Sequence, residues 1–333
     1  MNTPLNRTTR EMKINNVVLV TNTLKSLGTA TKGELAGNTS LSIATCGAVL
    51  NELSLSGEVL ALEFEESRGG RPAQRYAYNP DYFSVLSLYA AGSDTSAEII
   101  WSLSSATGET LDQGELLFQP LGLATFYQTL DALLTKYPKV RAIGIGLPGV
   151  VGENGTVASC DISLFTGITI VQQLEEKFGI FSQAGNDMNY TAYGFYRNSC
   201  AGVSAPVAYI YKPELPCTGC GIVINGKVLH GANNFAGEVS HLPFNYQTLL
   251  PDTEEIAQTI VSLAAIINPV TVAISGPKIN ESQLADILSI CHQHIPEKHM
   301  PTLIYRHSIR QDYLQGIAEL TLQNYDFHRL FEL

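Results

Sequence analysis

The sequence predicts an α/β protein of two successive units, preceded by a small helical head. Three observations carry that prediction. The first eighty or so residues hold three short helical patterns and then a hairpin whose tip reads Ser67-Arg68-Gly69-Gly70-Arg71-Pro72. Past Asn79-Pro80, strand-like and helix-like runs alternate, and the alternation goes through two cycles. With 333 residues, 45% of them hydrophobic and 15% charged, the chain can bury the cores of two or three compact units.

In the head, Val17, Val20, Leu24 and Leu27 recur at spacings of three and four, which predicts an amphipathic helix ending at Gly28. Thr31 and Glu34 form a Thr-x-x-Glu capping box that opens a very short second helix through Leu35 and Ala36, with Gly37-Asn38-Thr39 as the turn. A third helix over 42–53 places Cys46, Val49, Leu50 and Leu53 on one face. It leaves Ser42, Ile43, Thr45, Gly47, Ala48 and Asn51 on or near the other. Segments 58–64 and 74–78 have strand-like composition and flank the Gly-Gly tip. Helices and hairpin in this order predict a winged helix-turn-helix, whose last helix would lie in a DNA major groove.

Two arginines on a glycine tip suit contact with phosphates or a narrow minor groove; alone, such a tip is equally a solvated hairpin. No Lys or Arg occurs between Lys32 and Arg68, so bidentate Arg-to-guanine contacts are impossible for the third helix. Binding energy is expected from the tip and from Arg7, Arg10, Lys13, Lys25 and Lys32. The expected DNA contacts are Ser42, Ile43, Thr45, Gly47, Ala48, Asn51, Arg68, Gly69, Gly70 and Arg71. The net charge of -11 does not argue against this. Residues 1–82 carry eight basic and eight acidic side chains, so all the surplus acid lies beyond the head.

In the body, strands are predicted at 84–89, 98–103, 140–145 and 181–184, with helices at 125–137, 171–178 and 187–199. The second cycle gives strands at 206–211, 220–224, 271–275 and 302–305, with helices at 254–267, 282–293 and 311–324. The expected domains are 1–80, 81–195 and 196–333, the last helix being able to pack back on the first α/β unit. Two such units form a cleft, the usual place for a small ligand. The stretch 1–10 is polar and lacks a signal-peptide core, and the longest apolar stretch, 256–275, is interrupted by Gln258, Asn268 and Pro269. A cytoplasmic protein without membrane contact is expected. The six cysteines are scattered like reduced thiols, and Cys217-Thr218-Gly219-Cys220 lacks the second pair a zinc site needs.

Four motifs follow one another in the body: Gly144-Ile145-Gly146-Leu147-Pro148-Gly149, Gly185-Asn186-Asp187-Met188-Asn189, Asn225-Gly226-Lys227 and Ala236-Gly237-Glu238-Val239-Ser240-His241. In this order they resemble the motifs of the ROK family (repressors, open reading frames and sugar kinases), and with the head in front the chain resembles its repressor branch. The resemblance implies a duplicated actin-like, ribonuclease-H-like sugar-kinase fold and a sugar or sugar-derivative effector. It also implies double-stranded operator DNA as partner and self-association as a homodimer or homotetramer. Asn186, Asp187, Glu238 and His241 carry donors and acceptors suited to sugar hydroxyls. In the family's kinases the Asp matching Asp187 takes the proton from the attacking hydroxyl. The plainer alternatives are a helix cap for Asn186-Asp187 and a loop salt bridge for Glu238 and His241.

Three departures separate the chain from the kinases. Where they carry an Asp-x-Gly-Gly-Thr phosphate loop, it reads Leu88-Tyr89-Ala90-Ala91-Gly92-Ser93-Asp94-Thr95, and only Thr218-Gly219-Cys220-Gly221 partly keeps a second phosphate element. The cysteine-rich zinc loop that many relatives place after the His is absent, so no metal is expected. From His241 to Asn268 there are only 27 residues, fewer than relatives carry, so one wall of the cleft is expected to be reduced.

The expected function is therefore a DNA-binding transcriptional regulator, a repressor, whose catalytically inert body senses a carbohydrate or related metabolite without a cofactor, Asp187 being a vestigial base. Two other classes remain open. An ATP-dependent sugar kinase with a regulatory DNA-binding head would phosphorylate a sugar panel, and a ligand-free dimerisation or interaction module would respond to no small molecule.

Overall fold

The computed structural model describes residues 9–64, 73–119, 122–152, 154–214, 217–246 and 250–331. Arg7 and the hairpin-tip residues Arg68, Gly69, Gly70, Arg71 and Pro72 lie outside the described residues.

The head opens with α1 (Thr9–Leu27), whose Val17, Val20 and Leu24 are buried while Leu27 lies 45% exposed at the helix end. After β1 (Thr29–Thr31), α2 (Lys32–Thr39) starts from a complete capping box. The Glu34 N–H donates to Thr31 Oγ1 at 3.2 Å, and the Thr31 N–H donates to the Glu34 carboxylate at 2.7 Å. The expected turn at Gly37-Asn38-Thr39 is instead the last turn of this helix. Asn38 Nδ2 and Thr39 Oγ1 satisfy the Glu34 and Leu35 carbonyls, and the chain reverses one residue later, at Ser40 in the left-handed region (φ 59°). Ser42 caps α3 (Ile43–Leu55) by accepting the Thr45 N–H at 3.0 Å. The strands β2 (Val59–Phe64) and β3 (Gln74–Tyr78) complete an antiparallel sheet in the order β1-β3-β2.

The body contains two five-stranded sheets of the same topology. The first is built from β4 (Ser84–Gly92), β5 (Ala97–Ser105), β6 (Thr110–Phe118), α4 (Leu123–Lys136) and β7 (Val140–Leu147). It continues through a hairpin of β8 (Gly149–Val151) and β9 (Val157–Cys160), then α5 (Ile170–Phe178), β10 (Phe181–Asn186) and α6 (Asp187–Ser199). The second contains β11 (Val207–Tyr211), β12 (Gly219–Ile224), β13 (Lys227–Val228), α7 (Asp252–Ile266), β14 (Thr271–Ser275), α8 (Leu284–His292) and β15 (Thr302–Tyr305), and α9 (Arg310–Phe331) follows. The orders are β10-β7-β4-β5-β6 and β13-β12-β11-β14-β15. In each, the first strand pairs antiparallel with the second and parallel with the fourth. That repetition is the duplication the sequence motifs imply.

The strand β6 is absent from the sequence prediction. Its run Asp112-Gln113-Gly114 breaks both alternation and apolar continuity, and most of its residues face solvent. Pairing with β5 supplies what propensity does not: Trp101 lies over Gly114, where a Cβ would meet the indole at 2.7 Å.

The helices α6 and α9 cross between the sheets at backbone contact. A Cβ at Gly194 would fall 1.7 Å from the Asp312 carbonyl oxygen, and one at Gly316 1.8 Å from that of Tyr190. The helix α9 runs to Phe331, beyond the expected end near 324, and packs on β4 and β7. At about 1.5 Å per residue it is a rod of roughly 33 Å. Its far end carries Leu322 and Leu330 into one core cluster with Val17, Val20, Leu24, Leu50 and Tyr78 of the head and Val85 and Ala142 of the body. Each such fully buried aliphatic side chain contributes about 1.5–3 kcal/mol, so head and body share part of their stability.

Candidate functional site

The cleft lies between the sheets, where the ends of β4, β7, β10 and β11 converge on the start of α6. It encloses about 1080 Å³, enough for a small polar ligand. Tyr89, Ala90 and Gly92 of β4, Pro148 and Gly149 after β7, and Asn186 and Asp187 form one side. Tyr211, Thr218, Gly219, Gly237 and Glu238 form the other, and α9 contributes Tyr313, Leu320, Gln323 and Asn324.

Asn186 is the N-cap of α6. Its Oδ1 accepts the Asn189 N–H at 3.0 Å, and its Nδ2 donates to the Gly149 carbonyl at 2.9 Å. The cap reading of Asn186 is thus made in the structure, and this side chain ties β10, α6 and the β8 strand into one rigid corner. Asp187 follows at the first helical position. Burial pushes its carboxyl up to about 7, and the charges of Asp161 and Glu238 push the same way, against the Met188 N–H, which favours the ionised form. Glu238 lies half-buried in the cleft wall, its carboxyl also raised by burial and partly offset by nearby His241. His241 itself is exposed and is not among the lining residues; its ring packs on Phe235 with centroids 5.2 Å apart. Of the four expected sugar-binding residues, Asn186, Asp187 and Glu238 therefore meet in the cleft and His241 stands behind it.

Sequence reasoning missed Asp161, which the β8–β9 hairpin swings into the lining, and a floor of aromatic rings. Tyr89 stacks on Tyr313 at 4.3 Å, and Tyr190 lies 6.5 Å from the same ring. The second glycine of Gly144-Ile145-Gly146 could have announced those rings, since a Cβ at Gly146 would lie 2.3 Å from the Tyr313 hydroxyl.

The two phosphate-like stretches have other partners here. Asp94, in the turn after β4, accepts the Ser163 N–H at 2.7 Å. A Cβ at Gly221 would lie 2.1 Å from the Met188 carbonyl, and one at Gly219 2.7 Å from the Met188 side chain, so close packing against α6 accounts for both glycines. Among the described residues, no group of three His, Cys, Asp or Glu could hold a metal ion, and no helix is long and apolar enough to cross a membrane.

On the head, the exposed face of α3 presents Ser42, Ile43, Ala48 and Asn51, while Thr45 is half-buried beside Ser42. Gly47, expected on or near that face, is buried: it packs against the Lys32 side chain, with a Cβ only 3.5 Å from Lys32 Cδ. Lys32 also lies over the Tyr76 ring. Lys25, expected to face DNA, is turned into the head–body junction. Its Nζ donates to Asp326 of α9 at 2.6 Å, and burial lowers its pKa. Beside it, Arg329 of α9 makes two bonds to the nearly buried Glu58 carboxylate and one to the Tyr78 hydroxyl.

Residues 107–255 match the model of the ROK family. The xylose repressor of Caldicellulosiruptor bescii is 26% identical over 245 residues, covering 70% of this chain and 59% of that protein. The chain therefore spans less than two thirds of that relative's length. Among solved structures, a ROK-family transcriptional regulator homologous to the Escherichia coli MLC protein superposes on 96% of this chain and 98% of its own, with a TM-score of 0.76 and 17% identity. The ROK hexokinase of Thermus thermophilus superposes on 73% of this chain and 100% of its own, with a TM-score of 0.59 and 17% identity.

Proposed function

We propose that this chain, which carries a ROK-family domain, is a DNA-binding transcriptional repressor whose kinase-like body senses a sugar or related metabolite and does not phosphorylate it. The observation that carries the reading is α9. One end lines the cleft through Tyr313 and Leu320, and the other is locked to the head through Lys25–Asp326 and Arg329–Glu58. A kinase gains nothing from joining its substrate cleft to a helical head; a sensor requires such a joint.

The three helices and three-stranded sheet support reading residues 1–80 as a winged helix-turn-helix, with 81–195 and 196–333 as the two halves of the body. Ser42, Ile43, Ala48 and Asn51 would face the groove. With Lys25 and Lys32 drawn inward, phosphate contact is left to Arg68 and Arg71 together with Arg7, Arg10 and Lys13. Asp187 keeps the position of a base. Phosphoryl transfer depends on a cradle for phosphate charge, however, and the stretch after β4 reads Ala90-Ala91-Gly92-Ser93-Asp94-Thr95 in place of a glycine-threonine loop, with the Asp94 carboxylate accepting the Ser163 N–H. Self-association into a homodimer or homotetramer would pair two heads on one operator.

The test is a titration of labelled duplex from the region flanking the chain's own gene, at several salt concentrations. Arg68→Ala and Arg71→Ala together are expected to weaken binding and to reduce the salt slope by about one per arginine. A double variant with an unchanged slope would remove the hairpin from the mechanism, and a wild-type chain with no affinity for duplex would end the repressor reading.

A further inference from the structure

We infer that the cleft accepts an uncharged, unphosphorylated sugar and rejects the phosphorylated or carboxylated counterpart. The inference rests on the effector-site reading above and narrows it to a chemical class.

Its basis is the distribution of charge around the cleft. Among the described lining residues the acidic groups are Asp161, Asp187, Glu214 and Glu238. Asp161 and Glu214 are exposed and Glu214 lies 3.8 Å from Lys278, so the interior acids are Asp187 and Glu238, one from each half of the body. Among the described lining residues the basic groups are Lys227 and His230, both exposed at the rim, where solvent and salt screen them. The buried ammonium closest to this wall in sequence, that of Lys212, is already neutralised. It donates to Glu255 at 2.6 Å and to Thr218 Oγ1 at 3.2 Å, with Asp252 at 3.6 Å. No strong cation thus faces the interior of the cleft from the described residues. Neither segment where a kinase would cradle an anion supplies a cation: 88–95 carries the Asp94 carboxylate, which accepts the Ser163 N–H, and 218–221 carries no charged side chain.

A ligand that fits must therefore supply donors to carboxylates and bring no negative charge of its own, which describes a free sugar. A phosphate dianion entering the same space would either meet carboxylate charge or force Asp187 and Glu238 to take up protons, with no interior cation to compensate, and both costs are large in a partly desolvated cleft. Tyr89 and Tyr313, stacked on each other and nearly buried, close the bottom of the cleft without adding charge.

Matched pairs separate charge from shape. The full-length chain is titrated calorimetrically with xylose and xylose 1-phosphate, glucose and glucose 6-phosphate, and N-acetylglucosamine and its 6-phosphate, and DNA release is followed in parallel. The expected result is that at least one neutral sugar binds and its phosphate ester binds weaker by on the order of 100-fold. Asp161→Asn and Glu238→Gln should narrow that gap by improving the ester; if either variant fails to fold, the wild-type pair still decides. Equal or tighter binding of the ester, accompanied by DNA release, overturns the inference while leaving the sensor reading intact. Failure of every sugar in both classes to bind or to release DNA overturns both.

Discussion

Asp187 shows what the chain has kept and what it has changed. Its carboxyl stands at the start of α6 with a pKa near 7 against an ordinary 3.8, because burial and the neighbouring Asp161 and Glu238 charges disfavour ionisation. Below about pH 3.8 the group is protonated folded or unfolded and has no effect on stability. As pH rises toward 7 the unfolded chain ionises more readily than the folded one, so the folded state loses stability, and above 7 the cost is complete. Asp187→Asn is therefore expected to stabilise the effector-free protein more at pH 8 than at pH 5, the difference being roughly 2 kcal/mol in urea unfolding. Equal gains at both values would mean the carboxyl is not desolvated. The residues of this corner were legible because Asn186, Asp187 and Glu238 sit in short motifs whose backbone geometry is fixed locally. Asp161 was not, since only the β8–β9 hairpin brings it to the cleft, and His241 was misplaced because the turn after Glu238 carries its ring out onto Phe235.

At the scale of elements, the proposed coupling runs through α9. Gly194 and Gly316 let it lie against α6 at backbone distance, so a shift at the cleft end cannot be absorbed by a soft side-chain layer. Its other end holds Arg329, whose guanidinium pKa is raised. Burial alone would lower it, but the hydrogen bonds to Glu58 and the surrounding negative groups more than compensate. Arg329→Met leaves the Glu58 carboxylate buried without its partner, which is expected to cost about 3–5 kcal/mol in urea unfolding. Pairing it with Glu58→Gln should recover part of that loss, and in the double variant a sugar should still bind while its influence on DNA weakens. Full retention of that influence would place the coupling elsewhere. Neither ion pair was readable from sequence, because Lys25 and Asp326, or Glu58 and Arg329, meet only after the whole chain has folded. The capping box and amphipathic faces of the head were readable because they are local. The β6 strand was not, since Asp112, Gln113 and Gly114 acquire strand geometry only from Trp101 and the rest of β5.

At the scale of the molecule, the two sheets of identical order repeat one architecture, and the head is fastened to it through a shared core. A duplicated cleft whose halves move relative to each other changes the placement of whatever is attached to α9. An effector can drive that change only through unequal affinity for the two arrangements, and the cleft carboxylates are where such inequality would arise. The measurement that tests this most directly is fluorescence anisotropy of the full-length chain on duplex from its own flanking region. A free sugar identified by calorimetry is added first without and then with ATP and magnesium, and sugar phosphate is assayed in the same tubes. The prediction is salt-dependent DNA binding that the sugar alone reverses, with no phosphate ester formed and no further change on adding ATP. Release that requires ATP, together with an ester that disappears in Asp187→Asn, would contradict it and make the chain a kinase.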